Sequence, residues 1–417
     1  MADGRVHIVG AGLAGLAAAV RLDAAGADVV LHEATDHAGG RCRSYFDATL
    51  SMTIDNGNHL LLSGNRETLA YLESIGSQDR LKGPGEAAFD FADLANDARW
   101  RLRLNDGRLP WWIFAAARRV PGSRPADYLA ALRLLRAPED ARIGDVLDRA
   151  SPLYARLWRP ILLAALNTEP ERASAALAAA VMRETLLAGG RACRPLVAAG
   201  GLSGALVDPA LARLRRAGRD VRFGRRLRAI ELGPEQPLAL EFGGERLALG
   251  PQDRVILAVP PWVATSLLPE LAAPQEFRAI VNAHYRVDPS ADLPRILAVV
   301  NGQVEWLFAF EGRLSVTISG ADRLMDTDRE VLARQLWLEV ARLAGLPEAL
   351  PAWQIVKEKR ATFAATPEQE RLRPGTRSRW RNLLLAGDWT ATGLPATIEG
   401  AIRSGFRAAE FARESRL

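Results

Sequence analysis

The chain has 417 residues, 48% hydrophobic and 25% charged, and its 54 Lys and Arg against 49 Asp and Glu leave a net charge of +5. This composition excludes a disordered chain and is ample for two or three domains with substantial cores, while so mild a charge with no dense Lys/Arg block argues against a nucleic-acid partner. Two cysteines, Cys42 and Cys193, give no disulfide framework and suit a reducing cytoplasm, and the five histidines are not spaced as metal ligands, so no metal is expected.

Residues 6–9 read as a short apolar strand, which leaves no room for a leader peptide before it. Gly10, Gly12 and Gly15 follow as G-x-G-x-x-G where that strand turns into a helix beginning at Leu13 and Ala14. Residues 29–31 form a second buried strand, and Glu33 stands at its end, followed by Ala34. In a dinucleotide-binding βαβ unit the first glycine allows the tight turn, the second lets the backbone approach a pyrophosphate, and the third brings helix and sheet together. The pyrophosphate sits on the helix N-terminus, where free N–H groups and the dipole favour negative charge. Glu33 would accept hydrogen bonds from the adenosine ribose, and an acid there with no Arg after it argues against a 2′-phosphate, so the nucleotide is FAD or NAD.

Gly39-Gly40-Arg41 follows in a loop, and residues 53–59 read as a strand running into a turn that carries Gly57, Asn58 and His59. Residues 65–75 have the apolar spacing of an amphipathic helix closed by Gly76. Residues 89–109 suggest a strand or hairpin with Asn105-Asp106-Gly107 as its turn. The cluster Pro110-Trp111-Trp112-Ile113-Phe114, followed by Arg118-Arg119, suits either a core or apolar pocket or an interfacial membrane contact. Core or pocket is the first expectation, because large aromatics are usually buried. No apolar run approaches the roughly 18 residues of a spanning helix.

Residues 126–188 look mainly helical, and within them a Pro-bounded apolar helix after Trp158 runs into Asn167-Thr168 and then into a second, Ala-rich helix. By physics alone this is a helical hairpin with small-residue packing whose surface could accept a long hydrocarbon. Residues 200–230 return to α/β character with a helix over 206–217 and a strand at Val221, and 253–261 is another buried strand. Strands are suggested at 295–300, 304–310 and 314–319, and a helix at 328–343. Finally 382–388 is a buried strand ending in Gly387-Asp388, and Pro395-Ala396-Thr397-Ile398 opens the last helix.

Taken together, GAGLAGL, Glu33, GGR, Gly387-Asp388 and PATIEGAIRSG resemble the FAD-dependent amine oxidase and phytoene desaturase superfamily from end to end. Two further stretches, LWRPILLAALNTEPERASA and the run from Lys357 through Gln369, resemble the squalene-associated FAD-dependent desaturase group, whose members are hydroxysqualene dehydroxylases of bacterial hopanoid synthesis. The resemblance implies an α/β fold, with a Rossmann-type FAD-binding domain of the glutathione-reductase kind and a discontinuous α+β substrate domain. The FAD-binding domain would take residues 1–80, 195–265 and 375–417, and the substrate domain 81–194 and 266–374.

The resemblance also implies a cofactor set. Gly39 and Gly40 would pass close to FAD, Arg41 would approach its phosphates, and Val221 would offer its backbone to the adenine. Gly57, Asn58 and His59 would lie beside the flavin ring, with Gly387, Asp388, Thr397 and Ile398 closing the site at the C-terminal helix. His59 is the candidate catalytic residue, and Trp158, Asn167 and Thr168 are candidates for substrate contact.

The activity implied is reductive: the hydroxyl of a long isoprenoid, hydroxysqualene, is replaced by hydrogen. The alternatives are a carotenoid-type desaturase or a flavin amine oxidase, for which only Lys357 or Lys359 could serve as a flavin-side lysine, and both lie in a run that reads as a solvated strand. A non-catalytic flavin-binding scaffold of a prenyl-transfer complex is a third. The expected location is cytoplasmic, with peripheral contact on the cytoplasmic membrane face left open by the 110–119 cluster. The sequence names neither an electron donor nor an oligomeric state.

Overall fold

Val6–Val9, Val29–His32, Arg254–Leu257 and Leu383–Leu385 are buried at every position. Strands apolar on both faces must be covered on both faces, which favours a parallel sheet between helices. In the computed structural model, which describes residues 4–414, these four join Asp220–Arg222 in one five-stranded sheet. Its order is 220–222, 29–32, 6–9, 254–257, 383–385, and every pairing is parallel. The helices Leu13–Ala24 and Ile398–Glu414 cross in close contact at Gly405, where a Cβ would stand 2.1 Å from the carbonyl oxygen of Ala14. A three-stranded antiparallel meander, Leu227–Leu232, Pro237–Phe242 and Glu245–Ala248, lies between the third and fourth strands of the central sheet in chain order and has no counterpart among the sequence-based expectations.

A second sheet of seven strands runs in the order 353–363, 277–286, 313–318, 306–310, 296–300, 88–93, 98–103. Successive residues of a strand point to opposite faces. One face is covered by the helix Arg329–Ala344 through Leu332, Leu336, Trp337 and Val340. The other carries Asn282 and His284, paired across the ladder with Thr317 and Ser315, and then Trp306, Phe308, Phe91 and Trp100. Over that aromatic end lies a layer of short helices, including Pro125–Leu129, Tyr154–Trp158, Arg159–Leu166 and Ala175–Glu184, contributing Tyr128, Trp158, Leu162 and Leu177 to the same apolar cluster.

Two expectations change, and one strand is added. The 88–103 hairpin turns at residues 94–97, where Asp97 takes φ +56°, and Asn105-Asp106-Gly107 follows its second strand instead of joining the two. Asn and Asp tolerate that left-handed conformation, so two turn signals competed and the earlier one is used. The longest contacts of the second sheet belong to Phe277–Arg286, a strand unassigned from sequence because its polar Asn282 and His284 interrupt the apolar run. Lys357 is not solvated: it lies half-buried in Trp353–Phe363 and its ammonium donates to the carbonyls of Leu324, Met325 and Thr327.

Candidate active site

The three fingerprint glycines have different reasons to be glycine. Gly10 has φ +106°, and a Cβ there would meet Ala258 O at 2.3 Å; a Cβ on Gly15 would meet Gly10 O at 1.9 Å. Both are required by the fold. Gly12 has φ −70° and nothing within 4 Å of its would-be Cβ. It is the N-cap of the helix Leu13–Ala24 and makes no side-chain cap, so the first N–H groups of that helix, from Leu13 and Ala14 onward, face an open cradle that suits a pyrophosphate.

Around this cradle the other nucleotide candidates assemble. Glu33 accepts from Ala11 N at 2.8 Å and from Thr35 N at 2.9 Å, which fixes its carboxylate at the strand end beside Ala34. Gly39 N donates to Ala11 O at 2.8 Å, and a Cβ on Gly40 would lie 3.5 Å from Gly12 Cα, so the Gly pair folds over the first helical turn. Val221 pairs with Leu31 at the sheet edge, and its neighbour Arg222 accepts from Glu33 N. These groups fit an adenosine diphosphate moiety.

Arg41 and Asp388, 347 positions apart, form a bidentate pair at 2.7 and 2.8 Å. The expected phosphate-side arginine is therefore committed to the Gly-Asp loop, and it also donates to Ala361 O. That loop is held from behind by Arg373, whose buried guanidinium donates to the carbonyls of Asp388 and Thr390 and to Thr392 Oγ1. Gly387 N donates to Ser404 Oγ at 2.8 Å, and Thr397 Oγ1 accepts from Gly400 N at 3.0 Å, next to Ile398 at the helix start. Buried Glu399 accepts from Glu67 N, Thr68 N and Thr68 Oγ1, which pins this helix to the start of Arg66–Ile75. No local signal in the sequence singles out Arg373.

The turn at 56–59 meets the second sheet. A Cβ on Gly57 would stand 3.0 Å from Asn282 Nδ2, Thr317 Oγ1 donates to Asn282 Oδ1 at 2.8 Å, and Asn58 Nδ2 donates to Thr317 Oγ1 at 3.0 Å. These bonds fix the orientation of the Asn58 amide and leave its buried Oδ1 without a partner among the described residues. Asn282 and Thr317 went unassigned from sequence, although polar residues at 282 and 284 in an otherwise apolar strand mark one face of it. His59 has no hydrogen-bond partner among the described residues, and burial, with Arg41 adding to it, lowers its pKa, so its imidazole is neutral at neutral pH. Lys357 pairs with Val281, on the helix-covered face opposite Asn282.

Trp158 is buried, edge-on to Tyr128, and its indole N–H has no hydrogen-bond partner among the described residues; the same holds for the indoles of Trp100 and Trp306. Asn167 and Thr168 serve otherwise than expected. Asn167, at φ +49° after the helix Arg159–Leu166, accepts from Gly320 N at 2.7 Å and donates to Thr362 Oγ1 at 3.0 Å, while Thr168 Oγ1 accepts from Ala365 N at 2.9 Å. Both staple the helical hairpin to the sheet, and the Asn167 amide is fully spent. Glu305, beside Ser319 N, is pushed up to about 7 by burial.

The flavin containing amine oxidoreductase family model matches residues 13–411. The chain is 58% identical over 406 residues to the hydroxysqualene dehydroxylase of Rhodopseudomonas palustris, covering 97% of each chain. It is 55% identical to that of Sinorhizobium fredii, covering 98% of each. Its fold is similar to the crystal structure of a protein described as a protoporphyrinogen oxidase from Exiguobacterium, with TM-score 0.69 at 19% identity over 98% of both chains.

Proposed function

This chain belongs to the flavin-containing amine oxidoreductases and, within them, to the hydroxysqualene dehydroxylases; from that premise we propose that it converts hydroxysqualene to squalene with reduced FAD. The observation that carries the reading is the likeness, over almost the whole chain, to two relatives named for that reaction. The balance is simple: the carbon–oxygen bond breaks, a proton leaves with the hydroxyl as water, and a hydride takes its place on carbon. FAD, when bound and reduced, would be the source of that hydride, while the protein would supply orientation and a dry site.

The chain's own residues support such a division. The first turn of Leu13–Ala24, Glu33 and the Gly39-Gly40 loop would hold the nucleotide, and the Arg41–Asp388 pair joins the Gly-Gly-Arg loop to the Gly-Asp loop. The apolar layer around Trp158, Trp306, Phe308 and Trp100 excludes water from a hydrocarbon, and its unpartnered indole N–H groups are donors for the single oxygen of such a substrate. His59, neutral and on the turn that would lie beside the flavin, could hydrogen-bond the hydroxyl without repelling positive charge that develops as it leaves. Oxidation of amines is disfavoured by the commitment of Lys357 to backbone carbonyls away from the Asn58–Asn282 turn.

The test is anaerobic. Purified protein is reduced with dithionite and given hydroxysqualene; reoxidation of bound flavin with formation of squalene is expected. Flavin that stays reduced in this mixture, but is bleached from its oxidised form by a polyene or an amine, would overturn the reading.

A further inference from the structure

The five-residue cluster at 110–114 divides. Trp112 and Ile113 are buried, in the same apolar cluster as Trp158 and Trp306, whereas Trp111 and Phe114 are 50% and 72% exposed and the adjacent Leu109 is 82% exposed. The loop that presents them is braced. Asn105 Nδ2 donates to the carbonyls of Gly107 and Leu109, its Oδ1 accepts from Trp112 N, and the Trp112 ring stands edge-on to Tyr128 at 5.0 Å. Three large apolar side chains are thus held out into water by a rigid support, at a hydrophobic cost that burial against another phase would reverse.

The charge beside them is net positive. Arg118 lies over the Trp111 ring at 4.7 Å. Arg108, next to Leu109, lines both the small recess under Trp111 and a neighbouring surface groove of about 760 Å³. That groove is also lined by Arg66 and Arg183, and none of Arg66, Arg108 and Arg183 has an acidic partner among the described residues; of its three acids, Glu184 and Glu410 are already paired with Arg403 and Arg21, which leaves Glu67 as the one carboxylate facing these unpaired guanidinium groups. Rings at headgroup depth beside unpaired guanidinium groups are what an anionic phospholipid surface complements. No helix among the described residues is long and apolar enough to cross a membrane, so contact would be from one side.

We propose that the 109–114 loop and the arginine groove beside it form a docking surface for an anionic phospholipid bilayer. Its two halves follow from one strand of chain: Trp111 and Phe114 enter the headgroup layer while Trp112 and Ile113 continue into the apolar layer behind it. A long isoprenoid can then pass from lipid to protein with little exposure to water. The use of the surface rests on the proposed substrate, but the surface itself does not, so its test reads binding alone.

FAD-loaded protein is co-sedimented with vesicles of phosphatidylcholine alone and of phosphatidylcholine mixed with phosphatidylglycerol. The protein is expected to sediment with the mixed vesicles and to be released by salt. Trp111→Ala with Phe114→Ala should weaken that binding about tenfold or more. Arg108→Ala and Arg183→Ala should each weaken it roughly fivefold on mixed vesicles only. All four positions are exposed, so flavin content and melting temperature should stay at the parental values. Failure to sediment with the mixed vesicles, equal binding by the aromatic double variant, or a dimer in solution that the same variant dissolves would overturn the proposal. None of these results would touch the reductive reaction, which the flavin reoxidation experiment decides separately.

Discussion

Gly12→Ala separates cofactor binding from folding at one atom. The backbone there has φ −70° and ψ 176°, open to any residue, and the added methyl meets nothing within 4 Å. The cofactor-free protein should therefore change stability by no more than about 0.5 kcal/mol. The same methyl stands in the cradle before the helix N-terminus, where it would cost one or two charge-assisted hydrogen bonds to a pyrophosphate, about 2–4 kcal/mol. That corresponds to roughly a thirty- to thousandfold rise in the FAD dissociation constant. Gly15→Ala is the contrast: its methyl would lie 1.9 Å from Gly10 O, an overlap costing about 3 kcal/mol or more in the fold itself. FAD titration by fluorescence quenching, with thermal melts of the stripped proteins, reads both quantities. FAD affinity unchanged in Gly12→Ala, or melting as low as that of Gly15→Ala, would refute the argument that Gly12 is glycine for the ligand alone.

Other outcomes follow from particular contacts. Asp388→Asn removes the charge that Arg41 grips at 2.7 and 2.8 Å; with Arg41 partly exposed, about 1 kcal/mol of stability should go, and the protein should lose FAD faster on gel filtration. Glu399→Ala strands the N–H groups of Glu67 and Thr68 in a buried site and should cost about 2–4 kcal/mol by urea denaturation. His32 and His284 are both held near 3 by burial, with His7 and Arg313 adding to the effect respectively. The unfolded chain therefore binds more protons below about 6.5, so their contribution is complete above that pH and is lost as pH falls toward 3. The slope is about 1.4 kcal/mol per pH unit for each histidine once well below 6.5. Glu305 acts in the opposite sense between about 4.5 and 7, since burial favours its protonated form and stability falls as pH rises through that window. Urea midpoints in Glu305→Gln should fall more steeply on acidification than in the parent; an equal slope would remove Glu305 from the balance. His59→Ala should lower turnover sharply with FAD retained, and undiminished turnover would take His59 out of the mechanism.

What the sequence determines by itself is the chemistry that depends on neighbours along the chain. A tight strand-to-helix turn needs glycine at 10 and 15 because its backbone closes on itself within a few residues, and Glu33 ends the next strand at a spacing that the helix length dictates. The buried strands and the helix closed by Gly76 are legible for the same reason, since their hydrophobic periods are local. Tertiary structure decides which faces meet. That Arg41 closes on Asp388 and that Asn58 reaches Thr317 depends on segments hundreds of residues apart, and even the nearer contacts, Arg373 on the loop of Asp388 and Thr317 on Asn282, join separate elements. Asn167 and Thr168 show the converse: a motif that points to the right relatives spends its polar atoms on stapling helix to sheet. The division of 110–114 into two buried and two exposed large side chains has the same origin, because composition sets how much apolar surface a segment carries and only packing against Tyr128 and the sheet sets which of it reaches water.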